Sequence, residues 1–284
     1  MRISMNLFGL APWLYAEVAV AAEKAGLEAV WLSDHLLTPA SYAAEYPYSE
    51  DGLPGYDHTL GLNDVWVTIA HLAAVTSRLK LGPGVFILPL RSPFVTALAL
   101  ATASRLSSGR VIFGVGSGWM REEFTAVGED FDTRGARFDE DLDVISGLLT
   151  GELFEYHGRY VDFGPAAIGG APVTDLPLVF GGTSKTALRR LARRGDGWFG
   201  PVCELTESVA TRTELDALRA EGPRAADPLT YYPRLIGGIN RTNVTRYQDA
   251  GFEHAVISGG PILKGLTSAA EREDAVLSLG ALAS

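Results

Sequence analysis

The sequence predicts an α/β protein folded as a (β/α)₈ barrel of the TIM type, with insertions. Two observations lead to this fold: apolar segments alternate with helical segments eight times along 284 residues, and each apolar segment is a continuous hydrophobic run. Continuous runs joined by helices are typical of parallel strands buried on both faces, and eight such units suit a barrel of this length. An open doubly wound sheet is the alternative, which the eight strands disfavour. We expect one domain over residues 1–284.

The expected strands and helices follow each other from the first residues onward. The strands are expected over 2–8, 28–33, 79–88, 110–115, 176–180, 197–201, 229–236 and 254–258. The helices are expected over 12–25, 64–76, 93–106, 120–149, 185–194, 207–220, 243–250 and 268–282. Pro12 and Pro93 suit the first helical turn, where a missing N–H leaves no bond unmade, and Gly26 suits a helix end.

Two segments interrupt the alternation. Residues 38–63 form a long loop rich in tyrosine, proline, glycine and acidic residues. A loop of this length without periodicity is either functional or disordered, and we assign it to the mouth of a substrate site. Residues 150–175 are rich in glycine and proline, with a hairpin expected near residues 157–163. Because strand–helix alternation resumes afterwards, we interpret this segment as an insertion and not a linker.

Composition excludes several classes of partner. The net charge of −10, without any basic run, argues against nucleic acid. The single cysteine, Cys203, cannot form an internal disulfide and fits a reducing cytoplasm. The short apolar N-terminal run continues as a strand, so we expect no signal peptide and no membrane span. No metal is expected, because there is no metal-ligand spacing among His58, His71, His157 and His254.

The second predicted strand ends in Asp34 and His35. In parallel barrels the chemistry lies where strands end and the next loops begin. His35 is therefore a candidate catalytic acid or base, with Asp34 as the carboxylate that orients it. The alternative interpretation is a polar strand end that only caps the next segment.

The fourth strand ends in Gly116, Ser117, Gly118 and Trp119. This segment resembles a dinucleotide-binding fingerprint, but Trp119 stands where the third glycine belongs. No acidic residue closes a second strand about 20 residues later, as that motif requires. The glycines instead indicate a close approach of the backbone to a flat ligand, while Trp119 suits either packing or ligand contact.

The fifth strand is followed by Gly181, Gly182, Thr183 and Ser184, and then by a helix with five basic residues. Free amides at a helix N-terminus, together with hydroxyl side chains, suit a phosphate group. The alternative is a simple N-cap ahead of a solvated basic face.

Several segments together resemble the bacterial luciferase-like monooxygenase superfamily, and most closely its branch that uses the deazaflavin coenzyme F420. These segments are WLSDH (31–35), LGPGVFILPLRSP (81–93), LSSGRVIFGVGSGWMREEF (106–124), RGARFDE (134–140) and VFGGTSKTALRRLARRGDGW (179–198). Two positions depart from the pattern. Trp119 replaces the glutamate of sugar-phosphate dehydrogenases in this superfamily, and Ser104 replaces an expected aspartate.

The resemblance implies a TIM barrel with the deazaflavin across the carboxyl ends of the strands and His35 beside its ring. It implies a cis peptide bond between Gly84 and Val85 that backs the ring. The implied cofactor contacts are Asp34, Gly84, Val85, Gly116, Ser117, Gly118, Gly181, Gly182, Thr183 and Ser184. Trp119 and Tyr56 are expected to face the substrate.

The implied reaction is hydride transfer between coenzyme F420 and a small organic substrate. An FMN-dependent monooxygenase on the same barrel stays open as an alternative. A non-catalytic flavin-binding protein is the other alternative, since it would need the phosphate site but not His35. A homodimer also stays open.

Overall fold

A computed structural model describes residues 1–43, 45–49 and 51–283. Positions 44 and 50 of the predicted loop and position 284 of the predicted domain lie outside the described residues. The strands are β1 (Arg2–Asn6), β2 (Ala29–Leu32), β3 (Lys80–Pro83), β4 (Phe86–Ile87), β5 (Phe113–Gly116), β6 (Phe154–His157), β7 (Asp162–Ala166), β8 (Leu178–Gly181), β9 (Gly197–Phe199), β10 (Thr230–Tyr232) and β11 (His254–Ser258). The α-helices are α1 (Tyr15–Lys24), α2 (Val65–Val75), α3 (Pro93–Leu106), α4 (Arg121–Val127), α5 (Arg134–Leu148), α6 (Lys185–Arg194), α7 (Leu205–Ala220), α8 (Arg241–Asp249), α9 (Gly259–Leu263) and α10 (Ala269–Ala283).

The parallel strands form two sheets that meet at both edges. One sheet has the order β11-β1-β2-β3, and the other has the order β10-β9-β8-β5-β4. A single parallel bridge between Leu81 and Val111 joins one pair of edges, and a bridge between Arg234 and Val256 joins the other. The strands thus follow one another around a ring, which confirms the predicted TIM-type fold class. That residues 1–284 form a single domain stays a prediction.

The third predicted strand changes its neighbour halfway along. Its first part, β3, pairs with β2, whereas its continuation, β4, pairs with β5. The change occurs at Gly84 and Val85, where the peptide bond is cis, as the resemblance implies. The N–H of Gly84 still donates to the carbonyl of Leu32 at 2.7 Å.

The predicted insertion and helices need small corrections. The segment 150–175 contains the expected hairpin, formed by the antiparallel strands β6 and β7. The single helical region predicted over 120–149 is instead α4, a 3₁₀ turn and α5. Gly128 ends α4 with φ of +77°, a left-handed conformation that stops a helix. The short helix α9, directly after β11, was not predicted.

The barrel interior is filled by a small cluster of aromatic and aliphatic side chains. Its members are Ala29, Trp31, Ile112, Val179, Phe199, Tyr232 and Val256. The rings of Trp31 and Phe199 lie 4.7 Å apart. A larger apolar core lies between the strands and the surrounding helices. Each barrel strand is therefore buried on both faces, by the interior cluster on one side and by the helices on the other. This explains why the strands are continuous hydrophobic runs in the sequence.

Glu23, near the end of α1, holds the turn that leads into β3. Its carboxylate accepts the backbone N–H groups of Ser77 (2.8 Å), Arg78 (2.6 Å) and Leu79 (2.9 Å). Burial opposes its ionised form, but these donors outweigh burial and lower the pKa of Glu23 from 4.5 to about 2.

A depressed pKa in the folded state makes the contribution of Glu23 to stability dependent on pH. That contribution is present above about pH 4.5 and disappears as the pH falls through about 2. We expect Glu23→Gln to lower the free energy of unfolding at neutral pH by about 1 kcal/mol and to flatten its decline in acid. Urea titrations across this pH range test it. Glu253→Gln, at an exposed position, is the control, and equal pH profiles for both variants would contradict the prediction.

Candidate active site

The carboxyl ends of the barrel strands, which we call the barrel mouth, bring several predicted residues together. Val85, between β3 and β4, lies against the glycines that end β5 and β8. A Cβ atom at Gly116 would lie 2.7 Å from Cγ2 of Val85, and one at Gly181 would lie 3.0 Å from it. We call this group of Val85, Gly116 and Gly181 the Val85 shelf. Only glycine fits at Gly116 without moving Val85, so the Val85 side chain packs directly against the backbone of both glycines.

His35 lies at the barrel mouth with its ring held by a carboxylate. Its Nδ1 is 3.2 Å from both carboxylate oxygens of Glu123 in α4. The Glu123 side chain is completely buried, and its Oε1 also accepts the N–H of Leu36 at 2.6 Å. Since carboxylate oxygens only accept hydrogen bonds, Nδ1 of His35 carries the proton, and Nε2 has no hydrogen-bond partner among the described residues. This arrangement orients Nε2 for acid–base chemistry.

The expected pairing of Asp34 with His35 is corrected by the structure. Both oxygens of Asp34 bind Arg91, each at 2.7 Å, and Oδ2 also accepts the N–H of Ile87 at 2.8 Å. Successive side chains of an extended segment point to opposite sides, so Asp34 faces Arg91 while His35 faces the mouth and Glu123. The Asp34 side chain has no exposed surface, and its contact with the cofactor stays a prediction.

The described part of the long loop, residues 38–43, 45–49 and 51–63, folds over the barrel mouth with its tyrosines partly buried. Trp119, at the end of the glycine segment, stacks on Tyr42 at a centroid distance of 5.7 Å and meets Tyr46 edge-on at 5.0 Å. His35 lies 5.7 Å from the ring of Tyr56 and 6.2 Å from that of Trp119. The structure therefore brings both predicted substrate residues next to His35.

Two of these tyrosines have hydroxyl groups without partners. The hydroxyl oxygens of Tyr42 and Tyr56 are buried and bind nothing in the part of the chain that the structure describes. Burial raises the pKa of both phenols, so they stay protonated at neutral pH. They are available as hydrogen-bond donors to a ligand in the mouth.

The start of α6 carries an N-cap, which is compatible with both sequence-based interpretations of this segment. Ser184 caps the helix, with its hydroxyl accepting the N–H of Ala187 at 3.2 Å. Gly182 adopts φ of +98°, and Nε1 of Trp198 donates to its carbonyl at 3.0 Å. The remaining N–H groups of the first turn have no intrahelical partner. A phosphate at this helix start stays a prediction.

The basic face of α6 is partly occupied by the neighbouring helix. Arg190 binds Asp139 of α5 through Nε at 2.6 Å, and Arg194 binds Asp143 at 2.6 Å. These two arginines therefore join helices and do not contribute to the phosphate site. The anchor expected at Gly182, Thr183 and Ser184 depends on backbone N–H groups and hydroxyls.

Three charged residues of the mouth were missed by sequence reasoning: Arg91, Glu123 and Arg234. Arg234 follows β10 at its carboxyl end, so the strand-end rule that identified His35 applies to it as well. Its Nη2 donates to the hydroxyl of Ser258 at 2.8 Å, whereas its Nε is buried without a partner. Burial lowers the pKa of Arg234 to about 10, so it is cationic at neutral pH.

The described residues show neither a metal cluster nor a membrane helix. Within residues 1–43, 45–49 and 51–283, His, Cys, Asp and Glu side chains form no group of three that could hold a metal ion. Within the same residues, none of the helices combines the length and apolar character required to cross a bilayer.

Known proteins share both the sequence pattern and the fold. An uncharacterized protein of Mycobacterium tuberculosis is 32% identical over 246 residues, which cover 86% of this chain and 84% of that protein. An F420-dependent glucose-6-phosphate dehydrogenase of Amycolatopsis mediterranei is 30% identical over 247 residues, covering 85% of this chain and 66% of the relative.

The solved structures agree with the described fold. The coenzyme F420-dependent tetrahydromethanopterin reductase of Methanopyrus kandleri matches 98% of this chain and 97% of its own, with a TM-score of 0.73. At 17% identity this likeness concerns the fold alone. The sequence profile of the luciferase-like monooxygenase family matches residues 15–282. Because that match spans nearly the whole chain, the chain belongs to the luciferase-like monooxygenase family.

Proposed function

We propose that this protein is an oxidoreductase that transfers a hydride between coenzyme F420 and a small organic substrate. The observation that carries the proposal is that His35, oriented by the buried Glu123, and the Val85 shelf both lie at the barrel mouth. The dependence on F420 is supported by the name of the Amycolatopsis relative, at 30% identity. The Methanopyrus reductase, which shares the fold, is named for the same coenzyme.

The residues of the mouth fit a flat deazaflavin with a phosphate-bearing tail. The Val85 shelf carries no side chain other than that of Val85, because its other two members are glycines. The unpartnered hydroxyls of Tyr42 and Tyr56 can donate to ligand heteroatoms. Gly182, Thr183 and Ser184 would hold the phosphate at the start of α6. Gly84, Ser117 and Gly118, next to the shelf in the chain, stay predicted cofactor contacts.

The bound deazaflavin would supply the two-electron chemistry, and the chain would supply position and a proton. Nε2 of His35 is free to exchange a proton with a substrate oxygen, because Glu123 holds the proton on Nδ1. Trp119, with Tyr42 stacked on it, lies beside the His35 ring and would shield a bound substrate from water. Substrate would bind between these rings and the Val85 shelf.

Two other functions use the same barrel. An FMN-dependent monooxygenase is favoured by the name of the matching family. A non-catalytic flavin-binding protein would need the start of α6 but not the His35–Glu123 pair. The buried carboxylate that holds His35 therefore favours catalysis over binding alone.

Titration of the purified protein with each cofactor tests the proposal. We expect coenzyme F420 to bind more tightly than FMN, as measured by fluorescence or calorimetry under identical buffer conditions. Tighter binding of FMN would overturn the proposed cofactor and favour the monooxygenase. Tight F420 binding without turnover in a broad substrate screen would favour the flavin-binding protein.

A variant at Gly182 tests where the phosphate binds. We expect Gly182→Asp to weaken F420 binding about tenfold, because a carboxylate would stand beside the amides of α6. Gly182→Ala controls for the positive φ and for the close Ala187 Cβ at 3.3 Å. Gly164→Asp adds the same charge in the β6–β7 hairpin, where a Cβ meets nothing within 4 Å. Equal affinities for Gly182→Asp and Gly182→Ala would place the phosphate elsewhere.

A further inference from the structure

We propose that Arg234 binds an anionic group of the substrate, an inference that rests on the proposed function and narrows its substrate class. Arg234 lies at the barrel mouth and is half-buried. It follows β10, and its backbone pairs with Val256 of β11, the next strand around the barrel. Its Nε–H is buried without an acceptor, and its single side-chain hydrogen bond among the described residues goes to the neutral hydroxyl of Ser258. A buried N–H of a charged group that has no acceptor lowers the stability of the protein, because it has lost its hydrogen bonds to water.

The lack of a carboxylate partner distinguishes Arg234 from the arginine on the other side of the mouth. Arg91 is neutralised by Asp34 through two contacts of 2.7 Å. No Asp or Glu of the described ranges lies within ion-pair distance of Arg234. Arg219 also leaves nitrogens unpaired, but it binds the carbonyl of Gly195 ahead of β9, at the opposite end of the barrel. Among the described residues, Arg234 is therefore a cation without a carboxylate partner at the barrel mouth.

The position of Arg234 relates it to both the Val85 shelf and His35. Its guanidinium carbon lies 5.7 Å from the centre of the Phe199 ring, and that ring would touch a Cβ at Gly84 at 2.6 Å. On the other side, Tyr46 of the long loop lies close enough to Arg234 that its phenolate form would raise the pKa of the guanidinium. Tyr46 in turn packs on Trp119, which packs on His35.

Arg234 and His35 thus lie at two ends of one aromatic group that covers the mouth. A substrate with an anion at one end and an alcohol or carbonyl at the other would reach both residues. Guanidinium groups bind carboxylate and phosphate with parallel N–H donors, and such charge-assisted bonds fix orientation as well as charge. We infer a small carboxylate or phosphate ester whose reacting carbon lies away from its charged end.

The Nε–H of Arg234 is itself a probe of the proposed contact. In ¹⁵N-labelled protein without cofactor, its NMR signal is assigned by its loss in Arg234→Lys. Acetate and inorganic phosphate are then titrated in turn, and we expect at least one to move this signal saturably. Calorimetry should show Arg234→Gln weakening that anion about 10- to 100-fold. Arg78→Gln, which removes the same charge from an exposed position at the other end of the barrel, should leave the affinity unchanged.

A second titration separates a substrate anion from the phosphate of the cofactor. With F420 bound first, the response of the Arg234 signal to the anion should persist. If F420 alone moves the signal and the anions then have no effect, the anion belongs to the cofactor and the proposal is overturned. Absence of a response to both anions without cofactor overturns it as well. Neither result depends on whether F420 binds more tightly than FMN, so failure here is distinct from failure of the proposed function.

Discussion

Replacement of His35 by alanine is expected to lower turnover by about 10²- to 10⁴-fold, the usual contribution of a positioned acid or base. The ring stands at the barrel mouth with Nδ1 held by Glu123 at 3.2 Å and Nε2 free. Its removal would leave the substrate oxygen without a proton donor or acceptor. The rate is measured as the absorbance change of the deazaflavin with a substrate that the wild-type protein converts.

The same experiment separates catalysis from structure. F420 affinity should change little in His35→Ala, because the Val85 shelf and the start of α6 are untouched. His71→Ala, an exposed histidine on α2, is the matched control and should retain wild-type turnover. Glu123→Gln keeps a side chain that can accept from Leu36 but holds the ring less firmly, so its loss should be smaller. Wild-type turnover in His35→Ala would assign His35 a structural role only.

The fold could be predicted because its signals are local. Each buried strand is a short apolar run, and the helices between them begin and end at residues such as Pro93 and Gly26. The break between α4 and α5 was missed because polar helical residues continue on both sides of Gly128. A lone glycine in such a region does not reveal its conformation, whereas its φ of +77° ends the helix.

The partners within the site could not be predicted because they are distant in the chain. The strand-end rule identified His35, but its carboxylate partner Glu123 lies 88 positions away. The adjacent Asp34 was the nearest acid in sequence, although its own partner Arg91 lies 57 positions away. Proximity in sequence therefore favoured the wrong pair. The contacts of Trp119 with the long loop likewise depend on how that loop folds back over the mouth.

Replacement of Asp34 by alanine is expected to cause the largest loss of stability, about 3–5 kcal/mol. Its side chain is completely buried, and the Arg91 side chain is 18% exposed. Without Asp34, the guanidinium would lose both of its 2.7 Å contacts, and the N–H of Ile87 would lose its acceptor. A buried charge without a partner is destabilising because neither water nor protein solvates it. Urea unfolding at neutral pH measures the effect.

A pair of control variants shows whether the loss comes from the unpaired charge. Asp132→Ala breaks the pair of Arg121 and Asp132, whose aspartate is 71% exposed, and should change stability by about 0–1 kcal/mol. Adding Arg91→Leu to Asp34→Ala should recover part of the loss, since no buried charge then remains. If Asp34→Ala alone is no less stable than Asp132→Ala, the prediction is wrong and water reaches Arg91. Because Ile87 is only two positions beyond Val85, we also expect Asp34→Ala to disturb the Val85 shelf and weaken F420 binding, as the cofactor titration would show.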